Sequence, residues 1–321
     1  KFIYGDVRNQ DDWIKSIDDN EIIVHFAAET GTGQSMYEIK RYVDVNIGGT
    51  ALLLDLLTNQ KHSVKKVVVA SSRSIYGEGK YLNSKNEIVY PEARKPEFLD
   101  KGYFDLYEND PSAPLRLLPT DESSKIHPSS IYGITKQNQE QMILVGCAAK
   151  KISAIAFRYQ NVYGPGQSLR NPYTGILSIF STQIRNNLAI NIFEDGNESR
   201  DFVFIDDVVD ATISGIESEE VSSGVFNVGS GVPTTVIEVA HELMSNYSRE
   251  VSLHISGNYR IGDIRHNYAD LSLIHSQLGF KPKYNFKLGI KKFCEWVLQQ
   301  PVSKSEYNSS LNEMKSKGLL K

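Results

Sequence analysis

Short apolar runs rich in β-branched residues, separated by amphipathic stretches, constrain this chain more than any other feature. Val67-Val68-Val69-Ala70 is the plainest, and residues 22–28 and 152–157 read the same way. Runs this short and this continuous suit strands buried on both faces of a parallel sheet. Between them, residues 42–57 and 137–149 carry helical periodicity. Strand–helix–strand alternation implies right-handed crossovers and an α/β, doubly wound parallel sheet. Such sheets bind ligands at the carboxyl ends of their strands. Three polar segments sit at those ends, residues 29–35, 71–77 and 158–166, so they are expected to gather on one rim.

The second of these segments is followed, after a long interval, by Ser130-Ile131-Tyr132-Gly133-Ile134-Thr135-Lys136. Pro128 and the serines behind it supply a helix start. Four residues apart on a helix, Tyr132 and Lys136 share a face. An ammonium beside a phenol favours the phenolate and is expected to pull the tyrosine pKa down from about 10. Tyr132 is then a candidate to exchange a proton with a substrate hydroxyl while a cofactor takes the hydride. A surface Tyr–Lys pair is the plainer alternative.

Composition removes several classes of function. The 321 residues are long enough for more than one lobe. A net charge of −4 gives no basis for binding nucleic acid or an anionic membrane. No apolar run reaches the length of a membrane span. Cys147 and Cys294 fall in helical patterns as small core residues, which fits a reducing cytoplasm. No metal site is expected.

After Gly166 the rhythm changes. Asn171-Pro172-Tyr173-Thr174-Gly175 precedes a helix over 176–186 and a strand over 190–193. Helices are expected near 208–217 and 236–247, flanking a strand near Val225, and residues 260–266 read as a polar loop. The expected division is a dinucleotide-binding domain over 1–165, to which 200–235 partly returns, and a smaller C-terminal α/β substrate lobe formed by 166–199 and 236–321. Residues 78–118 hold no clear strand–helix unit and read as an excursion from the rim. Residues 303–321 read as a polar, loosely held helix.

One element is missing. A dinucleotide fold opens with a strand and a glycine-rich turn that cradles the pyrophosphate. Gly31-Thr32-Gly33 follows the wrong strand, so the first βαβ unit is expected to be absent from this chain, with residues 1–4 an interior strand of the sheet.

In order and spacing, Asp6, Ser72, the Tyr132–Lys136 pair and Asn161 resemble the extended short-chain dehydrogenase/reductase family, in its nucleotide-sugar epimerase and dehydratase branch. The resemblance covers almost the whole chain and implies a Rossmann-type sheet. Gly5-Asp6-Val7-Arg8 resembles the turn whose aspartate meets the cofactor's adenine, and Phe26-Ala27-Ala28 the stretch along its pyrophosphate and ribose. Asn46-Ile47-Gly48-Gly49-Thr50 is similar to the N-x-x-G-T whose asparagine supports the active-site strand. Ser71-Ser72-x-x-Ile75-Tyr76-Gly77 is similar to the catalytic serine strand. Arg158-Tyr159-x-Asn161 is similar to a segment whose asparagine contacts the substrate diphosphate. Arg200-Asp201-Phe202-Val203 and Arg260-Ile261-Gly262-Asp263 resemble two nucleotide-holding arginine motifs. Each residue also has a plainer reading: Asp6 as a turn former, Asn46 as a bridge, the arginines as ion-pair partners.

The resemblance implies NAD as cofactor, a nucleoside-diphosphate sugar as substrate, Ser72, Tyr132 and Lys136 as the catalytic set, and a homodimer formed through the helices of 45–57 and 137–149. The implied reaction is epimerisation at C4 through a 4-keto sugar, as in UDP-glucose and dTDP-deoxysugar 4-epimerases; the 78–118 insert resembles that of the deoxysugar sub-branch. A 4-keto-sugar reductase and a silent dinucleotide-binding protein remain as rivals. Dehydration is disfavoured, because Arg73 and Ser74 stand where the dehydratases carry Asp-Glu.

Overall fold

The computed structural model describes residues 2–108, 113–171, 175–302 and 307–321. Four parallel strands form the main sheet in the order Ile22–His25, Lys66–Ser72, Ser153–Tyr159, Ser223–Val228. The period of two along a strand sends alternate side chains to opposite faces. Val67, Val69, Ala154 and Ala156 pack against Leu53, Leu56, Ile143 and Cys147, from the helices Gly49–Asn59 and Ile131–Ala149. Val68, Ile155 and Phe157 pack on the other face against Val208, Ala211 and Ile274, from the helices Ile205–Glu217 and Ser272–Leu278. Both faces are therefore covered by helices, which is why these strands read as continuous apolar runs rather than alternating ones. Cys147 and Cys294 are free thiols inside the cores.

A second sheet is built around Ser199–Phe204, which pairs in parallel with Asn161–Tyr163 and His266–Asn267 and antiparallel with Pro233–Thr235. The helices Ile176–Arg185, Val236–Tyr247 and Phe286–Leu298 bury Ile184, Leu243 and Phe293 against it. Among the described residues no helix is long and apolar enough to cross a membrane.

Two expectations need correction. Residues 2–4 form no strand; Phe2 and Tyr4 are 90% and 93% exposed. A strand is stabilised by its ladder, and nothing among the described residues pairs with this segment. The tail is not loose either. Tyr307, Ser310, Met314 and Leu320 are buried, and the main chain of Leu319 and Lys321 pairs with Ile261 and Tyr259. Backbone pairing and these few buried side chains hold a segment whose composition is polar; residues 303–306 lie outside the described set, as do residues 172–174 of the loop before the Ile176–Arg185 helix.

Residues 78–118 leave the main sheet, as an excursion does. They contain a small antiparallel sheet, Ile88–Val89, Tyr81–Leu82 and Arg116–Leu117, and are tied by charged side chains to Glu194 and to residues 263–265. Arg94 grips Glu194 with two 2.8 Å hydrogen bonds and donates to the Asp263 carbonyl at 2.9 Å. Arg265, 1% exposed, binds Glu194, Asp195 and Asp105, and its main-chain N–H donates to Glu78. This network is built from single charges far apart in sequence, so no periodic pattern announces it.

Burial raises the Glu78 carboxyl from 4.5 to about 7, against the opposing pull of Arg94. A folded-state value above the unfolded one means that the folded protein holds the proton more tightly. Stability tied to this group therefore falls as pH climbs from about 4.5 to 7. Glu78→Gln, which keeps the shape and does not titrate, is expected to gain about 1–3 kcal/mol on the wild type between about pH 5 and pH 8. Urea unfolding of both proteins at the two pH values checks this.

Candidate active site

The segments at the three strand ends meet at one rim, where a cavity of about 530 Å³ opens. Ser72 ends the strand Lys66–Ser72, and its hydroxyl accepts from the main-chain N–H of Ser74 at 3.2 Å, capping the short turn Arg73–Tyr76. Ser74 Oγ lies 2.9 Å from Ser72 Oγ. The helix Ile131–Ala149 begins at Ser130, whose side chain accepts from Gly133 N at 3.1 Å. Tyr132 N donates to Ser35 Oγ at 3.0 Å, tying the helix start to the segment after the first strand. Gly133 brings the helix close: a Cβ there would stand 2.6 Å from the Ser74 carbonyl oxygen and 2.8 Å from Pro128.

The cavity brings together Ser72, Tyr132 and Lys136 with Phe26, Ala28 and Asn161. Arg200, Arg260 and Asp263 line it from the second-sheet side. Four residues singled out by sequence do not line it. Asp6 lies on an exposed turn in a forked pair with Arg8, which holds its carboxyl down at about 2. Val7 packs against Gly49, and its carbonyl accepts from Trp13 Nε1 at 2.7 Å. Ala27 is exposed outside the cavity. Asn46 is fully buried and bridges two elements: Nδ2 donates to Thr135 Oγ1 at 2.9 Å and to the Glu29 carbonyl, while Oδ1 accepts from Glu29 N at 2.7 Å. With both ends of its amide occupied, Asn46 positions the strand-end segment against the Tyr132 helix and is not placed to touch a ligand.

The electrostatics reverse one expectation. Tyr132 and Lys136 share the cavity, yet the Tyr132 phenol is raised, not lowered. Burial is the largest cause, because it removes the water that would stabilise a phenolate. The neighbouring Ser72 hydroxyl and the charge of Arg73 act the other way without prevailing. Lys136 is directed elsewhere: Nζ donates to Gln139 Oε1 at 2.6 Å, and burial lowers the ammonium to about 7 against the pull of Glu140. Gln139 in turn reaches Thr50 and His25, a buried polar chain behind the site.

The arginines divide by partner. Arg200 donates to the carbonyls of Ser199, Ile264 and Arg265 at 2.7–2.9 Å. Arg260 faces Asp263 at 3.7 Å and lies over the Phe193 ring, 4.7 Å from its centroid. Sequence reasoning valued Arg73 only for what it replaces. In the structure Arg73 Nε donates to Asn161 Oδ1 at 2.7 Å, and Arg73 lines the cavity. A charged residue next to the candidate reactive hydroxyl was the signal available for it. Phe193 and Tyr307, which also line the cavity, carried no motif that marked them.

The model of the NAD dependent epimerase/dehydratase family matches residues 1–96 and 106–229. The chain belongs to this family. It is 37% identical to dTDP-L-rhamnose 4-epimerase from Burkholderia thailandensis, across 94% of this chain and 82% of that protein. It is 28% identical to a putative UDP-glucose 4-epimerase from Methanocaldococcus jannaschii, across 92% and 84%. Among solved structures it resembles MoeE5 in complex with UDP-glucuronic acid and NAD, with a TM-score of 0.74 and 25% identity over 92% of this chain and 85% of that one. The UDP-glucose 4-epimerase of Thermotoga maritima with UDP-glucose gives 0.73 and 26%, over 93% and 84%. The parallel sheet is therefore a fold this chain shares with those solved structures.

Gly133→Ala is expected to destabilise the protein by about 1–3 kcal/mol, because a methyl group is forced against backbone. Gly48→Ala, with nothing nearer than 3.8 Å in a helical backbone, is expected to be neutral or to stabilise by up to about 1 kcal/mol. Denaturant unfolding of the two variants tests the contrast.

Proposed function

We propose that the protein interconverts C4 epimers of a nucleoside-diphosphate sugar through a transient 4-keto sugar, with NAD as cofactor. The observation that carries this reading is the meeting of Ser72, Tyr132 and Lys136 with Asn161 and Arg200 in one cavity. The relatives named 4-epimerases, and neighbours whose complexes hold NAD and nucleotide sugars, support it.

The residues present fit the ribose end of a dinucleotide. Lys136 spends one N–H on Gln139, which leaves donors for ribose hydroxyls, and Tyr132 stands one helical turn away. Ala28 and Ala70 keep the strand ends open beside them. When bound, NAD supplies a reversible acceptor for one hydride. In its phenolate form, which the charge of Arg73 favours against burial, Tyr132 accepts the proton of the sugar 4-hydroxyl and later returns it, and Ser72 hydrogen-bonds the same oxygen as its charge develops. Residues 166–199 and 236–321 supply the nucleotide side of the cleft in this reading, with residues 1–165 and part of 200–235 carrying the cofactor.

Tyr132→Phe is expected to lower turnover about a hundred- to ten-thousand-fold while nucleotide-sugar affinity stays near wild type. Assays with UDP-glucose, UDP-glucuronic acid and dTDP-L-rhamnose, alongside calorimetry, separate the two effects. Retention of most of the activity would remove Tyr132 from the role.

The same reading extends to assembly. The helices Gly49–Asn59 and Ile131–Ala149 pack closely, a Cβ on Gly146 coming within 2.8 Å of Leu54. On the outer side of the second helix Ile134 and Val145 stand 41% and 72% exposed, three turns apart on one face. A homodimer on this isologous surface is expected. Light scattering should give the dimer mass for the wild type and a shift towards monomer for Val145→Glu.

A further inference from the structure

The helix Ile131–Ala149 turns one stripe of side chains to the core, on which Ile143 and Cys147 are fully buried and apolar. Lys136 and Gln139 stand earlier on the same stripe, and Gln139 is also fully buried. A leucine there would extend the apolar face. An amide in such a place costs free energy unless its hydrogen bonds are made.

They are made. Gln139 Nε2 donates to Thr50 Oγ1 at 3.0 Å and lies 3.3 Å from His25 Nε2. The Thr50 hydroxyl donates to the Asn46 carbonyl at 2.7 Å, so its oxygen is left to accept. These neighbours fix which way the amide faces. With Nε2 committed to Thr50, Oε1 is turned to Lys136 Nζ, which donates to it at 2.6 Å. The reverse orientation would set an NH2 group against an ammonium. The amide is thus held from the first strand and from the helix Gly49–Asn59, and it holds Lys136 in turn.

The other groups around Lys136 are otherwise engaged or do not titrate near neutrality. On its own helix Glu140 favours the ammonium but already binds Arg158 and Ser71, and burial raises the Tyr132 phenol. His25, on the first strand, is lowered by burial to about 4 and is neutral near pH 7. Burial raises the phenols of Tyr42 and Tyr159, while Arg73, lowered to about 9, keeps its charge. The helix Gly49–Asn59 and the turn before it bring only the uncharged Thr50 and Asn46 to this spot. Among the described residues, Gln139 Oε1 is the protein acceptor that Lys136 Nζ reaches.

We infer that Gln139 is a positioning residue for Lys136, its amide oxygen setting where the ammonium stands and favouring the charged form over the neutral amine. A charged donor makes the stronger bond, so the same acceptor stabilises the ammonium more than the amine. The link to chemistry rests on the proposed function. A ribose hydroxyl gains a charge-assisted bond from Lys136 only while the ammonium persists, and Gln139 uses one N–H and leaves the others.

The test follows the charge of Lys136 directly, by NMR of the full chain carrying lysine labelled with carbon-13 at Cε. The Lys136 signal is the one lost in Lys136→Met, and titration between about pH 5 and pH 10 gives its midpoint. Gln139→Leu removes the acceptor and is expected to lower the midpoint by roughly one to two pH units. Gln139→Glu puts a carboxylate in its place and is expected to raise the midpoint by a similar amount. Should Gln139→Leu fail to fold, Gln139→Met takes its place. A merely structural role would lower unfolding stability in both variants and leave the midpoint at the wild-type value, which overturns the inference and leaves the proposed function standing. A shift of both midpoints in one direction also overturns it, since repacking and not the lost or gained partner would be the cause. Calorimetry with NAD over the same pH range tests the link to the ribose: affinity is expected to fall off at lower pH in Gln139→Leu than in the wild type, and at higher pH in Gln139→Glu. Midpoints that move apart in a protein whose wild type binds no NAD remove the proposed function and leave Gln139 as the residue that positions Lys136.

Discussion

The placement of Ser72 against Tyr132 and Lys136 depends on one buried carboxylate. Glu140, on the helix that carries Tyr132 and Lys136, accepts from Ser71 Oγ at 2.5 Å and from two nitrogens of Arg158 at 2.6 and 3.0 Å. Ser71 precedes Ser72 on one central strand, and Arg158 lies on the next. Arg158 also donates to Tyr76 Oη and to the Glu122 carbonyl, and Tyr76 donates to Asn227 on the fourth strand. Glu140 thus ties the helix directly to two parallel strands and, through Arg158 and Tyr76, to a third. Removing one member of such a buried pair typically costs about 3–5 kcal/mol, because the other is left charged and unpaired. The tie is directional as well as strong, so the helix cannot slide along the sheet. The separation of Ser72 from Tyr132 is fixed by a carboxylate that lies two turns beyond the tyrosine.

Asn46 supplies the second constraint, at the outer end of the same helix. It bonds Thr135 on one side and both main-chain groups of Glu29 on the other. Hydroxyls and amides serve here because the groups they satisfy are main-chain N–H and C=O at a strand end that the sheet ladder no longer reaches. Gly133 completes the arrangement by letting helix and serine turn touch. The site is therefore held by polar bonds at fixed angles, while the apolar clusters on the two sheet faces supply the bulk of the burial.

What could be read from the sequence follows from which of these forces leave a local trace. The central strands Val67–Val69 and 154–157 were legible because burial on both faces demands an unbroken apolar run. The Tyr132 helix was legible because its cap, its glycine and its lysine are neighbours. The gathering of three strand ends on one rim followed from parallel topology alone. The bond between Arg94 and Glu194 left no trace, since its partners are 100 residues apart and each reads singly as a solvated charge. Tyr307 and Leu320 were hidden in the same way: a few buried side chains and some backbone pairing hold a segment whose average composition is polar. The expected strand at residues 2–4 failed for the converse reason. Its local pattern is right, but a strand is defined by a neighbour that the pattern does not contain. Asn46 sits where its motif put it, as the support of a strand-end segment, while Asp6 lies on an exposed turn outside the cavity.

The reversal at Tyr132 has a consequence for which cation serves the phenol. The spacing of Tyr132 and Lys136 suggested that the ammonium would do so, but burial acts on both groups and in opposite senses. It raises the phenol and lowers the ammonium, so each is pushed towards its neutral form. Lys136 at about 7 is near half protonation in neutral solution, and the carboxylate that supports its charge, Glu140, is already committed to Arg158. Arg73 is also lowered by burial, to about 9, and therefore stays charged across the neutral range. It is the cation whose charge already acts on the Tyr132 phenol. Positive charge beside the phenol is thus supplied at neutral pH by a guanidinium that does not titrate there, while Lys136 is left as a donor whose charge follows the pH.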